Sequence, residues 1–153
     1  MKYTYKYPRA SVTVDIAVFC QFDDAHKVLL IQRGNPPFEG SWALPGGFIE
    51  MDEKMVGSAY RELEEETMLK GVGLKQFKTY GDPGRDPRGR TVSIVYYGFT
   101  SAEYATVRGG DDAKNAEWFT LDKLPKLAFD HNLILSELIE GINHRGTEAR
   151  RKD

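Results

Sequence analysis

The sequence has a single cysteine, Cys20, which excludes both an internal disulfide and a thiolate zinc cage. Cys20 lies inside the apolar run 12–22 and reads as an inert buried thiol. No stretch reaches 18 uncharged apolar residues, which argues against a membrane-spanning helix, and residues 1–8 lack the apolar segment of a signal peptide. A reduced, cytoplasmic setting and no membrane partner are expected. A surplus of one charge is missing as well: 21 Lys and Arg stand against 23 Asp and Glu, so the broadly positive surface of a nucleic-acid binder is absent. There is no internal repeat. What the chain does have is 41% hydrophobic residues, including 8 Tyr, 8 Phe and 2 Trp, enough to close one core over 153 residues without help from metal or disulfide.

Residues 12–20 and 27–33 are dense in β-branched and aromatic side chains and flank a turn at 23–26, which predicts two paired strands. A loop with Pro36, Pro37 and Gly40 follows, then a short apolar stretch into Pro45-Gly46-Gly47. From 52 to 70 the period becomes helical, with Val56, Ala59, Tyr60, Leu63 and Thr67 on one side and Gly71 and Gly73 closing it. Further strands are expected at 72–80, 90–100 and 116–121, and a helix at 130–143 with Leu133, Ile134, Leu138 and Ile142 available for a core face. Two helices among five or six strands predict an α/β domain with a mixed sheet and helices on its faces, preceded by an extension at 1–10 and followed by a frayed polar tail at 145–153.

Seven carboxylates fall between Glu50 and Glu66, against only Lys54 and Arg61. On a helical wheel Glu62, Glu65 and Glu66 share an arc of roughly 100°. Like charges at such spacings repel, so the strip gains nothing without cations. Arg61 alone does not balance three carboxylates, and a hard divalent ion with oxygen ligands does. A merely solvated acidic face is the alternative.

The spacing around this strip is more specific. Gly47, five residues, Glu53, seven residues, Arg61-Glu62-Leu63, one residue and Glu65-Glu66 together resemble the Nudix box. The box continues with a glycine where this chain has Met68, a departure read as a local packing adjustment. The resemblance implies an α/β/α sandwich spanning 11–144 with a central mixed sheet. It also implies hydrolysis of a nucleoside diphosphate linked to another group, with Mg²⁺ or Mn²⁺ as cofactor. Glu62, Glu65 and Glu66 are then the positions that hold metal or orient water, with the Gly47 carbonyl as a further ligand. Arg61 orients Glu65 or Glu53, and Glu53 itself suits a cap at the helix start. The general base is open among Glu65, Asp111, Asp112 and Glu117, with the box carboxylate ranked first.

The segment 81–90 holds Arg85, Arg88 and Arg90 among two aspartates, two prolines and three glycines, which makes a shaped loop. Its arginines pair either with Asp82 and Asp86 or with a substrate diphosphate. The Gly-Asp-Pro…Arg-Asp-Pro-Arg pattern, with Gln32-Arg33-Gly34 and the stretch from Phe38 to Gly47, is similar to the small ADP-ribose pyrophosphatases of the Nudix group. That likeness implies ADP-ribose + water → AMP + ribose 5-phosphate, with Arg33, Arg85 and Arg88 on substrate and Phe38 or Trp42 stacked on adenine. For Trp42 a place in the core is an equal reading. A related group fuses the same domain to a DNA-reading one and senses ADP-ribose-type ligands. The chain's end soon after Asn143 leads us to expect an enzyme with a small nucleotide substrate and no nucleic-acid partner. The alternatives are a nucleotide triphosphate pyrophosphohydrolase and a non-catalytic sensing domain. The resemblance admits a homodimer, with no interface legible in the residues.

Overall fold

Val14, Ile16 and Val18 point to one face of β1 (Ser11–Phe22) and Ala17 and Phe19 to the other, so this strand is apolar on both sides and lies at the centre of the sheet. The computed structural model describes residues 2–23, 25–110 and 112–152, with 145–152 as backbone alone. β1 runs parallel to β6 (Thr91–Ser101) from Ser11↔Thr91 to Gln21↔Ser101. On its other side it is shared. Its end at Phe19–Phe22 pairs antiparallel with the start of β2 (Ala25–Arg33), while Thr13–Asp15 pairs with β4 (Gly46–Phe48). β2 in turn gives Ile31 and Gln32 to β3 (Trp42–Ala43) and its other edge to β7 (Ala113–Thr120), and β5 (Lys75–Tyr80) pairs with β6. β1 and β2 are thus joined at one end and part at the other, with residues 42–48 set into the fork.

Each face of this mixed sheet carries one helix. Ala59 and Leu63 of α1 (Met55–Thr67) pack on Val14, Ile16, Val18 and Leu29, while Ile134, Leu135 and Leu138 of α2 (His131–Lys152) pack on Ala17, Phe19, Val28 and Leu30. The architecture is an α/β/α sandwich. Among the described residues no helix is long and apolar enough to cross a membrane.

Several details differ from the pattern-based expectation. β3 and β4 are too short for alternation to reveal them. The buried side of α1 is Ala59, Leu63, Glu66 and Thr67, and Val56 and Tyr60 are exposed, because the helix turns Glu66 inward. Leu133 likewise faces out. The α2 backbone runs to Lys152. Asp153 lies outside the described residues. Met68 ends α1 in the left-handed region at φ 66°, its N–H donating to the Glu64 carbonyl. The glycine expected there would meet a backbone demand, not a packing one: a left-handed residue at a helix C-terminus is where glycine costs least.

Candidate active site

The fork between β1 and β2 opens into a cavity of about 390 Å³. Its lining includes Gly46, Gly47, Glu62 and Glu66 on one side and Arg33, Arg85, Arg88 and Phe129 among the remainder, with Asp15 and His131 also reaching it. A carboxylate pair therefore shares one concavity with three guanidinium groups.

The carboxylates are held from behind. Arg61 binds both oxygens of Glu53, Nε to Oε2 at 2.8 Å and Nη2 to Oε1 at 3.0 Å, and its Nη1 donates to Glu62 at 2.9 Å and Glu65 at 3.2 Å. Ser58 donates to Glu53 as well. These bonds to Arg61, then to Ser58, pull the Glu53 carboxyl down to about 2. Glu53 precedes α1 and makes no helix cap. The sequence predicts Glu53 as a cap at the helix start, with Arg61 orienting it; here it accepts from Arg61 and Ser58, and the N-cap position is Lys54. One arginine thus contacts three carboxylates, but Glu66 is not among them.

Glu66 is 8% exposed. Burial first, then the neighbouring charge and hydrogen bond of Glu62 and the charge of Asp15, push it up to about 9, against the Gly46 N–H that stabilises its anion. Glu62 beside it is likewise raised, by burial first, in spite of Arg61. The backbone comes close here: a Cβ on Gly47 would fall 2.5 Å from Glu62 Oε1, and one on Gly46 would fall 2.2 Å from the Val14 carbonyl. Only glycine lets this strand lie against both β1 and the carboxylates. The donor set is all oxygen, so it fits a hard divalent cation. Glu65, by contrast, is exposed, tied to Arg61 and outside the cavity lining. Among the described residues no three His, Cys, Asp or Glu side chains stand together as a ready-made cage.

The arginines divide between the two sequence readings. Arg88 pairs with Asp86, Nε to Oδ1 at 3.0 Å and Nη2 to Oδ2 at 2.7 Å, and lines the cavity at the same time. Against the upward push of burial, Arg88 holds Asp86 low. The Arg85 guanidinium pairs with neither the Asp82 nor the Asp86 carboxylate; it grips Asp130. Arg33 donates Nε to the Pro37 carbonyl at 2.7 Å.

Neither aromatic expected to touch a base reaches the cavity wall. Trp42 packs edge-on against Phe119 at 4.8 Å and takes the core role. Phe38 supports Phe129 from outside, with ring centroids 4.9 Å apart. The phenyl rings that do line the cavity are Phe48 and Phe129. Of the base candidates, Asp112 lines the cavity and accepts from Asn35, Glu117 is exposed on β7 away from it, and Asp111 lies outside the described residues.

Sequence reasoning passed over Asp15. His131 is buried, accepts the Leu44 N–H at Nδ1 (3.0 Å) and directs Nε2 toward Asp15 at 3.6 Å. Burial keeps its pKa low. Ser93 donates to Asp15 from β6. A lone carboxylate inside an otherwise apolar strand was the available signal.

A family model described as NUDIX domain matches residues 12–140. The chain is 42% identical over 128 residues to a protein named ADP-ribose pyrophosphatase from Methanocaldococcus jannaschii, covering 84% of this chain and 75% of that one. It is 36% identical to the ADPR responsive transcriptional repressor NtrR of Acinetobacter baylyi, covering 91% of this chain and 57% of the repressor. The fold resembles the NUDIX domain of Shewanella oneidensis NrtR crystallised with ADP ribose, with a TM-score of 0.83 and 34% identity over 92% of this chain and 94% of that one. The chain spans 62% of a MutT/nudix family protein from Enterococcus faecalis that it matches with a TM-score of 0.80.

Proposed function

The chain belongs to the Nudix family, and from that premise we propose that it is a divalent-metal-dependent pyrophosphohydrolase acting on ADP-ribose or a related nucleoside diphosphate derivative. The products from ADP-ribose are AMP and ribose 5-phosphate. The observation that carries this reading is that Glu62 and Glu66 line the same cavity as Arg33, Arg85 and Arg88. Glu62 and Glu66, with the Gly47 carbonyl, would hold Mg²⁺ or Mn²⁺. Bound there, the ion supplies neutralisation of phosphate charge and a water of lowered pKa. Asp112, which lines the cavity, and Glu65, which shares an Arg61 nitrogen with Glu62 but stands outside the lining, would be the candidates to orient a water. Arg61 and Glu53 fix the carboxylates. Arg88 and Arg33 face the diphosphate, and their planar forks suit its oxygens.

A second reading, a sensing domain that binds ADP-ribose without turnover, is favoured by Glu65 standing outside the cavity and by the likeness to a repressor. One assay separates the readings: purified protein with ADP-ribose and either Mg²⁺ or Mn²⁺, followed for AMP. AMP release that EDTA abolishes supports the hydrolase. A raised melting temperature with no AMP supports the sensor, and faster turnover of dNTPs than of ADP-ribose supports a triphosphate substrate.

A further inference from the structure

Along the cavity wall, flat groups of alternating character form a continuous row. The Arg33 guanidinium carbon is 5.0 Å from the Phe129 ring centroid, the Arg88 guanidinium carbon is 5.2 Å from the same ring, and Arg88 is also 4.9 Å from the Phe48 ring. Each distance is within cation–π range. The inner members are fixed: Arg33 by the Pro37 carbonyl, Arg88 by Asp86, and Phe129 by the edge of Phe38. Phe129 also holds a backbone conformation unusual for a bulky residue, φ 54°. Strain of this kind persists where the surroundings over-determine it, and it concentrates at binding sites.

The row has one open end. Phe48 lines the cavity yet is 46% exposed, with Arg88 against its ring. It stands on β4 immediately after Gly47, beside the carboxylates. An apolar ring at the rim of a polar cavity, backed by a fixed cation, offers a stacking surface to another flat aromatic system. We infer that the open face of Phe48 is the platform on which the nucleobase of the substrate stacks. The inference rests on the cavity being a nucleoside diphosphate site, and it replaces Phe38 and Trp42 in that role. The same cations that order the row then face the phosphates, so base and diphosphate are read by adjoining parts of one wall.

Calorimetric titration with AMP and with ribose 5-phosphate, which differ in the base, tests it. Phe48 is exposed, so Phe48→Ala is expected to fold, as circular dichroism would verify. The expected result is AMP binding weakened roughly fivefold or more in Phe48→Ala, ribose 5-phosphate binding unchanged, and AMP binding kept in Phe48→Tyr. Equal AMP affinity in Phe48→Ala and the parent overturns the inference, as does a parallel loss for both ligands, which would make Phe48 a wall and not a platform. Binding of neither ligand by the parent overturns the nucleotide reading and this inference together. Phe48-dependent AMP binding in a protein that releases no AMP from ADP-ribose sinks only the hydrolase.

Discussion

Arg85 and Asp130 meet side by side, with Nε to Oδ2 at 2.8 Å and Nη2 to Oδ1 at 2.7 Å, and the arginine side chain is only 7% exposed. The pair ties the 81–90 loop to the residue just before α2. Removing one partner strands the other charge in a poorly hydrated place. Arg85→Ala should therefore cost on the order of 3 kcal/mol of stability as well as substrate affinity. Thermal melts of Arg85→Ala, Asp130→Ala and the double variant test this, and the double variant should lose less than the sum of the two. A melt unchanged in Arg85→Ala, with only KM raised, would return Arg85 to the role of a free substrate ligand.

Glu66→Gln preserves shape and the donor or acceptor contacts but removes the anion a cation would bind. Folding should be intact and turnover should fall at least about a hundredfold. Steady-state rates with Mn²⁺ decide it, and activity kept within about threefold would remove Glu66 from the machinery.

The same residue gives a pH signature in the absence of divalent ions. In the folded protein Glu66 titrates at about 9, above the 4.5 of an ordinary glutamate, so between these values the folded state holds a proton that the unfolded state has lost. Stability from this group is complete below 4.5 and declines as pH rises toward 9. Urea melts in EDTA across this window should show the decline in the parent and a shallower one in Glu66→Gln. Uptake of Mg²⁺ at neutral pH should release a proton to buffer, measurable by calorimetry in buffers of different ionisation heat.

Met68 occupies a left-handed cap that its side chain does not favour. Met68→Gly should raise stability by about 1 kcal/mol, a few degrees in melting temperature, without altering KM. A lower melting temperature would mean that the exposed methionine makes contacts worth more than the backbone strain.

The sheet, both helices and the carboxylate strip were legible because each rests on local periodicity or fixed spacing, as in Val14, Ile16 and Val18 or Arg61 to Glu66. Less visible was how one helix face divides its charges: Glu62, Glu65 and Glu66 share an arc, yet Arg61 draws Glu65 outward and the Gly46 amide draws Glu66 in. The partners of Arg85 and His131 were hidden for another reason. Asp130 is 45 positions from Arg85 and Leu44 is 87 from His131, and nothing along the chain encodes such meetings. Phe48 escaped notice because a single aromatic beside two glycines carries no periodic signal, whereas Trp42, singled out as an aromatic near the loop, packs against the core.

The parallel seam between β1 and β6 has a consequence for how the chain is made. Ser11 cannot find Thr91 until some eighty later residues have been synthesised, so the most apolar strand waits through most of translation with one edge unsatisfied. A nascent polypeptide stalled before residue 101 should be held by chaperones or clump, while release a few residues beyond lets the seam zip shut.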